Sequence, residues 1–220
     1  MKRAWICFTR VPLPGRTKTR LLPLLTPKEC AALHRAFLRD LSAVASGLDA
    51  ALFVAHTPEA GWEQLRPLFP QAAGFFPQEG EGLGQRMANA LERVLSLGYD
   101  ACVLTGSDLP ELTAAQLESG FRALERADTV LGPADDGGYY LVGLKRPCPA
   151  LFERQSYGGS SVLESTLAAA AQAGLSTALA LPCRDVDTPE ELRALWARCR
   201  QSDSHTARCL AGIFQKETTP

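Results

Sequence analysis

Short apolar runs alternate along this chain with segments that open on Thr or Ser and then place apolar residues three or four apart. That alternation restricts the fold more than any other feature. Thr26-Pro27-Lys28-Glu29 combines an N-cap side chain, a Pro suited to the first helical position and a Glu three residues after the cap. Cys30, Leu33, Phe37, Leu41, Val44 and Leu48 then form one stripe of an α-helix. Thr113-Ala114-Ala115-Gln116 and Thr188-Pro189-Glu190-Glu191 open two more helices, predicted to reach about Glu125 and Arg200. Thr57-Pro58 predicts a shorter helix ending near Leu68, and the patterns predict helices from Gly84 to Leu97 and from Ser160 or Ser161 to Gly174. Between them, strands are predicted from Ala4 to Phe8, Ala50 to Ala55, Gly74 to Phe76, Ala101 to Thr105, Thr129 to Gly132, Tyr139 to Leu144 and Thr177 to Leu181.

The pattern predicts an α/β protein with three αβα layers, Rossmann-like, whose mostly parallel sheet is interrupted by a hairpin over residues 129–144. At 220 residues the chain suits a single domain over 1–201, followed by a partly helical tail over 202–220. A net charge of -1 offers no general attraction to nucleic acid or anionic membranes, so any anion site has to be local. No stretch has the length of a membrane span. The basic start Met1-Lys2-Arg3 is followed by an apolar run that Thr9 and Arg10 break before a secretory core is complete. Seven scattered cysteines without C-x-x-C spacing fit reduced thiols in a cytoplasmic protein and suggest no zinc site. His34, His56 and His205 stand alone in the sequence and are read as surface or satisfied polar residues.

In sheets of this kind ligands bind outside the carboxyl ends of the strands, so residues just after strands carry the most weight. Val11 to Leu24, directly after the first strand, joins Pro12, Pro14 and Gly15 to Arg16, Lys18 and Arg20. The bend lets backbone N–H groups face an anion, and the cations suit phosphate, Arg by bidentate contact and Lys as a compact charge. A solvated basic loop is the plainer alternative. Asp108, in Thr105-Gly106-Ser107-Asp108-Leu109-Pro110, and Asp187, between the last strand and the last long helix, stand at ends of the same sheet. Together they form a candidate magnesium site completed by water and phosphate oxygens, with Lys18 and Arg20 acting on the same charge from the opposite side. Simple capping of a turn or helix is the alternative for either acid.

Ala134-Asp135-Asp136-Gly137-Gly138-Tyr139 reads either as an acidic hairpin turn or as an acceptor site, with Asp136 as acceptor-binding group or base and Tyr139 in the pocket wall. Glu79 to Met87, containing Gly84 and Arg86, is a glycine-rich helix entry able to admit a base or ribose.

Taken in order, Pro14-Gly15-x-x-Lys18-Thr19-Arg20-Leu21, Gly82-Leu83-Gly84-x-Arg86-Met87, Gly106-Ser107-Asp108-x-Pro110, Gly132-Pro133-Ala134-x-Asp136-Gly137-Gly138-Tyr139-Tyr140-Leu141 and Asp185-Val186-Asp187-Thr188-Pro189-Glu190-Glu191-Leu192 resemble a small bacterial family of nucleotide-diphospho-sugar transferase-like proteins. It is the family called transferase 1, associated with radical-SAM and selenium-domain proteins and linked to arsenosugar biosynthesis. The first loop is also similar to the G-x-x-x-T-R-L-x-P-L pattern of nucleotidylyltransferases.

The resemblance implies a GT-A fold, a nucleotide or nucleotide-sugar donor and a divalent cation, magnesium or manganese. It implies Pro14, Gly15, Lys18, Arg20, Gly84 and Arg86 at the nucleotide, Asp108 and Asp187 at the metal, Asp108 and Asp136 in catalysis, and Asp136, Gly137, Gly138, Tyr139 and Tyr157 at the acceptor. Where many members have Trp-Ser/Gly-Thr, this chain has Tyr157-Gly158-Gly159-Ser160. The expected activity is glycosyl transfer to a small-molecule acceptor. Nucleotidylyl transfer to a phosphorylated small molecule, releasing pyrophosphate, and nucleotide binding without turnover are the alternatives, and a homodimer is compatible with either activity.

Overall fold

A computed structural model of the chain describes residues 1–153 and 155–215. Seven strands form one sheet: β1 (Arg3–Thr9), β2 (Ala51–His56), β3 (Gly74–Pro77), β4 (Ala101–Thr105), β5 (Thr129–Pro133), β6 (Tyr139–Leu144) and β7 (Thr177–Leu179). Their order is β3-β2-β1-β4-β6-β5-β7. All neighbours are parallel except β6, which runs antiparallel between β4 and β5. The hairpin expected to interrupt the sheet is therefore part of it, and Thr105 pairs with Leu141 near the start of β6.

Helices α1 (Pro27–Ala45), α2 (Gly82–Leu95), α3 (Ala114–Leu124), α4 (Val162–Gln172), α5 (Pro189–Cys199) and α6 (His205–Phe214) complete the chain. Alternation along β1 divides the core. Trp5 and Cys7 pack with Leu38 and Leu41 of α1 and Leu117 and Phe121 of α3, whereas Ala4 and Ile6 meet Met87, Leu91 and Val94 of α2 on the other face. Capping boxes at Thr26, Thr113 and Thr188 start α1, α3 and α5 as their sequences require.

One expectation changes. Thr57 starts no helix: its hydroxyl accepts the Val11 N–H at 3.1 Å, and a 3-10 turn begins only at Trp62, after Gly61 at φ 84°. Beyond residue 202 the chain is helical over α6, whose Leu210 and Ile213 bury against Leu33 and Phe37 of α1. The Asp40 carboxylate accepts the N–H groups of His205 and Thr206, holding a helix N-terminus whose donors would otherwise be unpaired.

This topology decides where chemistry can occur. The sheet order reverses direction at β1 and β4, creating a crevice beyond their carboxyl ends. Along that edge lie, in spatial order, the residues after β3, β2, β1 and β4, then the turn between β5 and β6 and the segment after β7.

Candidate active site at the carboxyl edge of the sheet

The loop leaving β1 is anchored by buried Val11 and turns at Gly15, whose φ is 75°. Lys18 follows at φ 51° and ψ 37°, the only non-glycine residue with positive φ among the described residues. That conformation costs an L-residue roughly 1–2 kcal/mol and has to be held by its surroundings. They are evident here. The Lys18 side chain is 2% exposed, and its Nζ donates to the Val186 carbonyl, lies 2.7 Å from Asp108 Oδ1 and 3.3 Å from Asp187 Oδ1, and stands 5.0 Å from the centre of the Phe37 ring. Arg20 reaches the other oxygen of Asp187 at 3.4 Å.

The two acid-bearing loops are joined directly, since the Val186 N–H donates to the Asp108 carbonyl at 2.9 Å. Asp108 stays 39% exposed toward the cleft. Burial disfavours its charge, but the Lys18 ammonium, which also hydrogen-bonds it, outweighs that cost and holds the carboxyl below the ordinary range. Asp187 moves up, through burial and the negative charge of Asp108, with Lys18 opposing. Lys18 thus lies between the acids, where the sequence placed it across from them.

Behind Asp108 is His34, expected to be a surface or satisfied polar residue and in fact neither. It is buried, with Nε2 3.1 Å from Thr9 Oγ1 and an unpartnered Nδ1 3.8 Å from Asp108 Oδ1. Burial pushes its pKa down to about 4, with Asp108 opposing and Lys18 reinforcing. A usable signal was present: His34 follows Cys30 by four residues and therefore shares the buried stripe of α1.

A cleft of about 840 Å³ runs from these residues toward β2 and β3, and Arg10, Gly15, Arg16, Lys18, Arg20 and Arg86 bring its cations and its turn together. Two expected nucleotide residues stand apart. Pro14 is exposed outside the lining, and Gly84 faces Phe152 and Tyr157, where an added Cβ would collide with the Phe152 carbonyl oxygen.

On the other side of Asp108 is a pocket of about 230 Å³, walled by Phe8, Leu83, Met87, Tyr139, Tyr140 and Tyr157 and edged by Asp108, Asp136 and Asp185. Asp136 Oδ1 accepts the Gly138 N–H at 2.8 Å, shaping the turn. Gly137, at φ 86°, packs against the Ser160 carbonyl instead of lining the pocket. Burial, then the charges of Asp136 and Asp187, push Asp185 up to about 6. Among the described residues, no Lys, Arg or His lines this pocket. Arg184 and Arg198, in the adjoining hollow, are paired with Asp135 and Glu111.

Residues 40–159, more than half the chain, match the family described as "Uncharacterized protein conserved in bacteria (DUF2064)". The chain belongs to the DUF2064 family. Its relatives include the 2-phospho-L-lactate guanylyltransferase of Methanothermobacter thermautotrophicus, 30% identical over 185 residues covering 80% of this chain and 76% of that protein. A solved protein from Desulfovibrio desulfuricans G20, provisionally designated a nucleotide-diphospho-sugar transferase, shares 30% identity and superimposes with a TM-score of 0.88 over 98% of both chains. A cytidylyltransferase from Leptospira borgpetersenii serovar Hardjo-bovis, 14% identical with a TM-score of 0.55 over 99% of this chain and 96% of its own, shows the shared fold alone. Kinship with the first two makes this DUF2064 member an enzyme of the transferase class. Among the described residues no helix is long and apolar enough to cross a membrane.

Proposed function

We propose that this chain is a nucleotide-dependent transferase whose reaction is glycosyl transfer from a nucleotide-diphospho-sugar to a hydroxyl of a small acceptor. The observation that carries this reading is the Lys18 ammonium between Asp108 and Asp187, with a cationic cleft on one side and, on the other, a pocket to which no described residue brings a cation. The reading places the chain within the radical-SAM-associated branch of these proteins, on the strength of its Pro14-Gly15 to Leu21 and Gly132 to Leu141 motifs.

A diphosphate in the cleft competes with the two carboxylates for Lys18 and Arg20. Charge developing on the departing phosphate strengthens those contacts, which lowers the barrier to bond breaking. Asp108 and Asp187 are hard oxygen donors of the kind that hold magnesium or manganese through one or two carboxylates, the remaining ligands being phosphates and water. No cluster of three or more His, Cys, Asp and Glu side chains forms a metal cage among the described residues, so that shared mode is the one the donor set fits. A cation bound there would neutralise diphosphate charge. In the neighbouring pocket Asp136 has one oxygen committed to the Gly138 N–H and the other left to take the proton of an acceptor hydroxyl. The acceptor oxygen bonds to the anomeric carbon while that carbon's bond to phosphate breaks, and the nucleoside diphosphate leaves with the electron pair.

Kinship with a guanylyltransferase favours a second reading, in which an acceptor phosphate attacks a nucleoside triphosphate and pyrophosphate leaves. Against it stands a pocket in which no described residue supplies a cation to receive that phosphate. Incubation with sugar nucleotides and with triphosphates, each with a panel of hydroxyl and phosphorylated acceptors, separates the two. Nucleoside diphosphate release supports glycosyl transfer, and pyrophosphate release with a phosphorylated acceptor overturns it.

A further inference from the structure

The cleft contains an acid that neither phosphate binding nor acceptor activation uses. Glu59 follows β2, its side chain is 21% exposed, and it lines the cleft with Thr57, Gln78 and Arg86. We infer that the donor's base is guanine and that Glu59 reads it. This deepens the proposed function, because it rests on nucleotide phosphates lying at Lys18.

The order of the sheet locates the base. Adjacent strands lie about 4.8 Å apart, so the residues following β2 and β3 stand roughly 10–14 Å along the edge from Asp108 after β4. A nucleoside attached to a diphosphate covers that span. In the other direction the edge leads into the acidic pocket between β4 and the turn joining β5 to β6. With the phosphates at the switch point, the base therefore falls at the β2 and β3 end.

The polar groups at that end mostly accept hydrogen bonds. Gln78 Nε2 donates to the Thr9 carbonyl at 2.9 Å and the Ala55 carbonyl at 3.0 Å. The flipped amide would set oxygen against both carbonyls, so the atom left to a ligand is the acceptor Oε1. Thr57 Oγ1 accepts the Val11 N–H at 3.1 Å and gives its proton to Glu59 Oε2 at 3.3 Å. The other oxygen of Glu59 has only a loose contact, 3.9 Å to the exposed Arg16. Arg86 donates Nε to the Gly80 carbonyl at 3.0 Å and retains its terminal nitrogens as donors.

Guanine alone among the common bases presents two adjacent donors, N1–H and N2–H, beside an acceptor, O6. A carboxylate receives such a pair bidentately, and a guanidinium suits the oxygen. Adenine and cytosine place a ring-nitrogen lone pair where Glu59 requires a donor, and uracil offers one N–H between two carbonyls.

Isothermal titration of the full chain with GDP, IDP, ADP, UDP and CDP tests this, repeated on Glu59→Gln, Glu59→Ala and Lys18→Met. GDP is expected to bind at least about tenfold more tightly than ADP, UDP or CDP, with IDP intermediate because it lacks the N2 donor. Glu59→Gln and Glu59→Ala are expected to bring GDP within about threefold of UDP while leaving UDP itself unchanged. Tighter binding of another base overturns the inference. So does an equal loss for every diphosphate in the Glu59 variants, which would show that Glu59 only positions Arg16. Equal binding of all five that disappears in Lys18→Met leaves the nucleotide site standing and removes the guanine assignment, whereas no binding of any diphosphate removes both.

Discussion

His34 Nδ1 lies 3.8 Å from Asp108 Oδ1, the same oxygen that Lys18 Nζ approaches at 2.7 Å. The Thr9 hydroxyl gives its proton to the Arg10 carbonyl, so it accepts from His34 Nε2 and leaves Nδ1 as a bare lone pair facing the carboxylate. The imidazole is thus buried, neutral and poised against the acid that holds the lysine.

This arrangement sets a direction for acid sensitivity. The folded pKa of His34 is about 4, below its ordinary 6.5, because burial disfavours the charged ring. Its contribution to stability is full above pH 6.5 and is lost as pH falls through the interval toward 4, a change of order 3 kcal/mol. His34→Gln should flatten that loss, as measured by urea midpoints near neutrality and at the acid end of the interval. An unchanged slope would assign acid sensitivity to other groups.

Lys18 combines charge and backbone strain, and two substitutions separate them. Lys18→Met should lower turnover by about 10²–10³-fold through lost stabilisation of phosphate charge. It should also cost about 1–3 kcal/mol by leaving the buried edges of two carboxylates unpaired. Lys18→Gly should be more stable than Lys18→Ala by about 1 kcal/mol, since glycine accepts the positive φ freely. Chemical denaturation of the variants compares the last two directly.

The backbone of Asp108 has a structural task, accepting the Val186 N–H, while its side chain serves the cleft. Asp108→Asn keeps the backbone bond and most of the side-chain shape. It is expected to retain a melting temperature within a few degrees of the parent and to lose any magnesium-dependent shift on adding nucleotide, with turnover down about 10²-fold or more. A collapse of the melting temperature would assign the carboxylate chiefly to folding.

Gly137 and Gly98 both have positive φ, 86° and 84°, but only Gly137 is crowded. A Cβ there would lie 2.1 Å from the Ser160 carbonyl oxygen, whereas at Gly98 nothing stands within 4 Å. Gly98→Ala should cost about 1 kcal/mol, from backbone conformation alone, and Gly137→Ala more than about 2 kcal/mol as the Ser160 segment is displaced. Thermal unfolding of the two variants provides the comparison.

Local rules made much of the fold legible. The capping boxes at Thr26, Thr113 and Thr188 depend on residues three positions apart, and the continuous apolar run of β4 follows from burial on both faces. Position after a strand likewise brought Lys18, Asp108 and Asp187 into view, three residues that the fold joins across as many as 169 positions. What local spacing leaves open is what fills the space between elements. The insertion of β6 beside β4 is a choice among pairings, and the burial of α6 depends on a surface of α1 far away in the sequence. His34, Glu59 and Gln78 acquire significance only when β1, β2 and β3 are side by side. Thr57 shows the reverse case: its helix-starting signal lost to a hydrogen bond from the loop after β1.

The hydrogen bond from Val186 to Asp108 joins segments that leave the ribosome far apart in time. Until residues 186 and 187 have been synthesised, Lys18 lacks both a carbonyl and one of its two carboxylates, and the strained turn has no counterweight. The surroundings of Lys18 are therefore completed only after β7, so a chain stopped after β6 would possess most of its sheet and still lack the Val186 carbonyl and the Asp187 carboxylate.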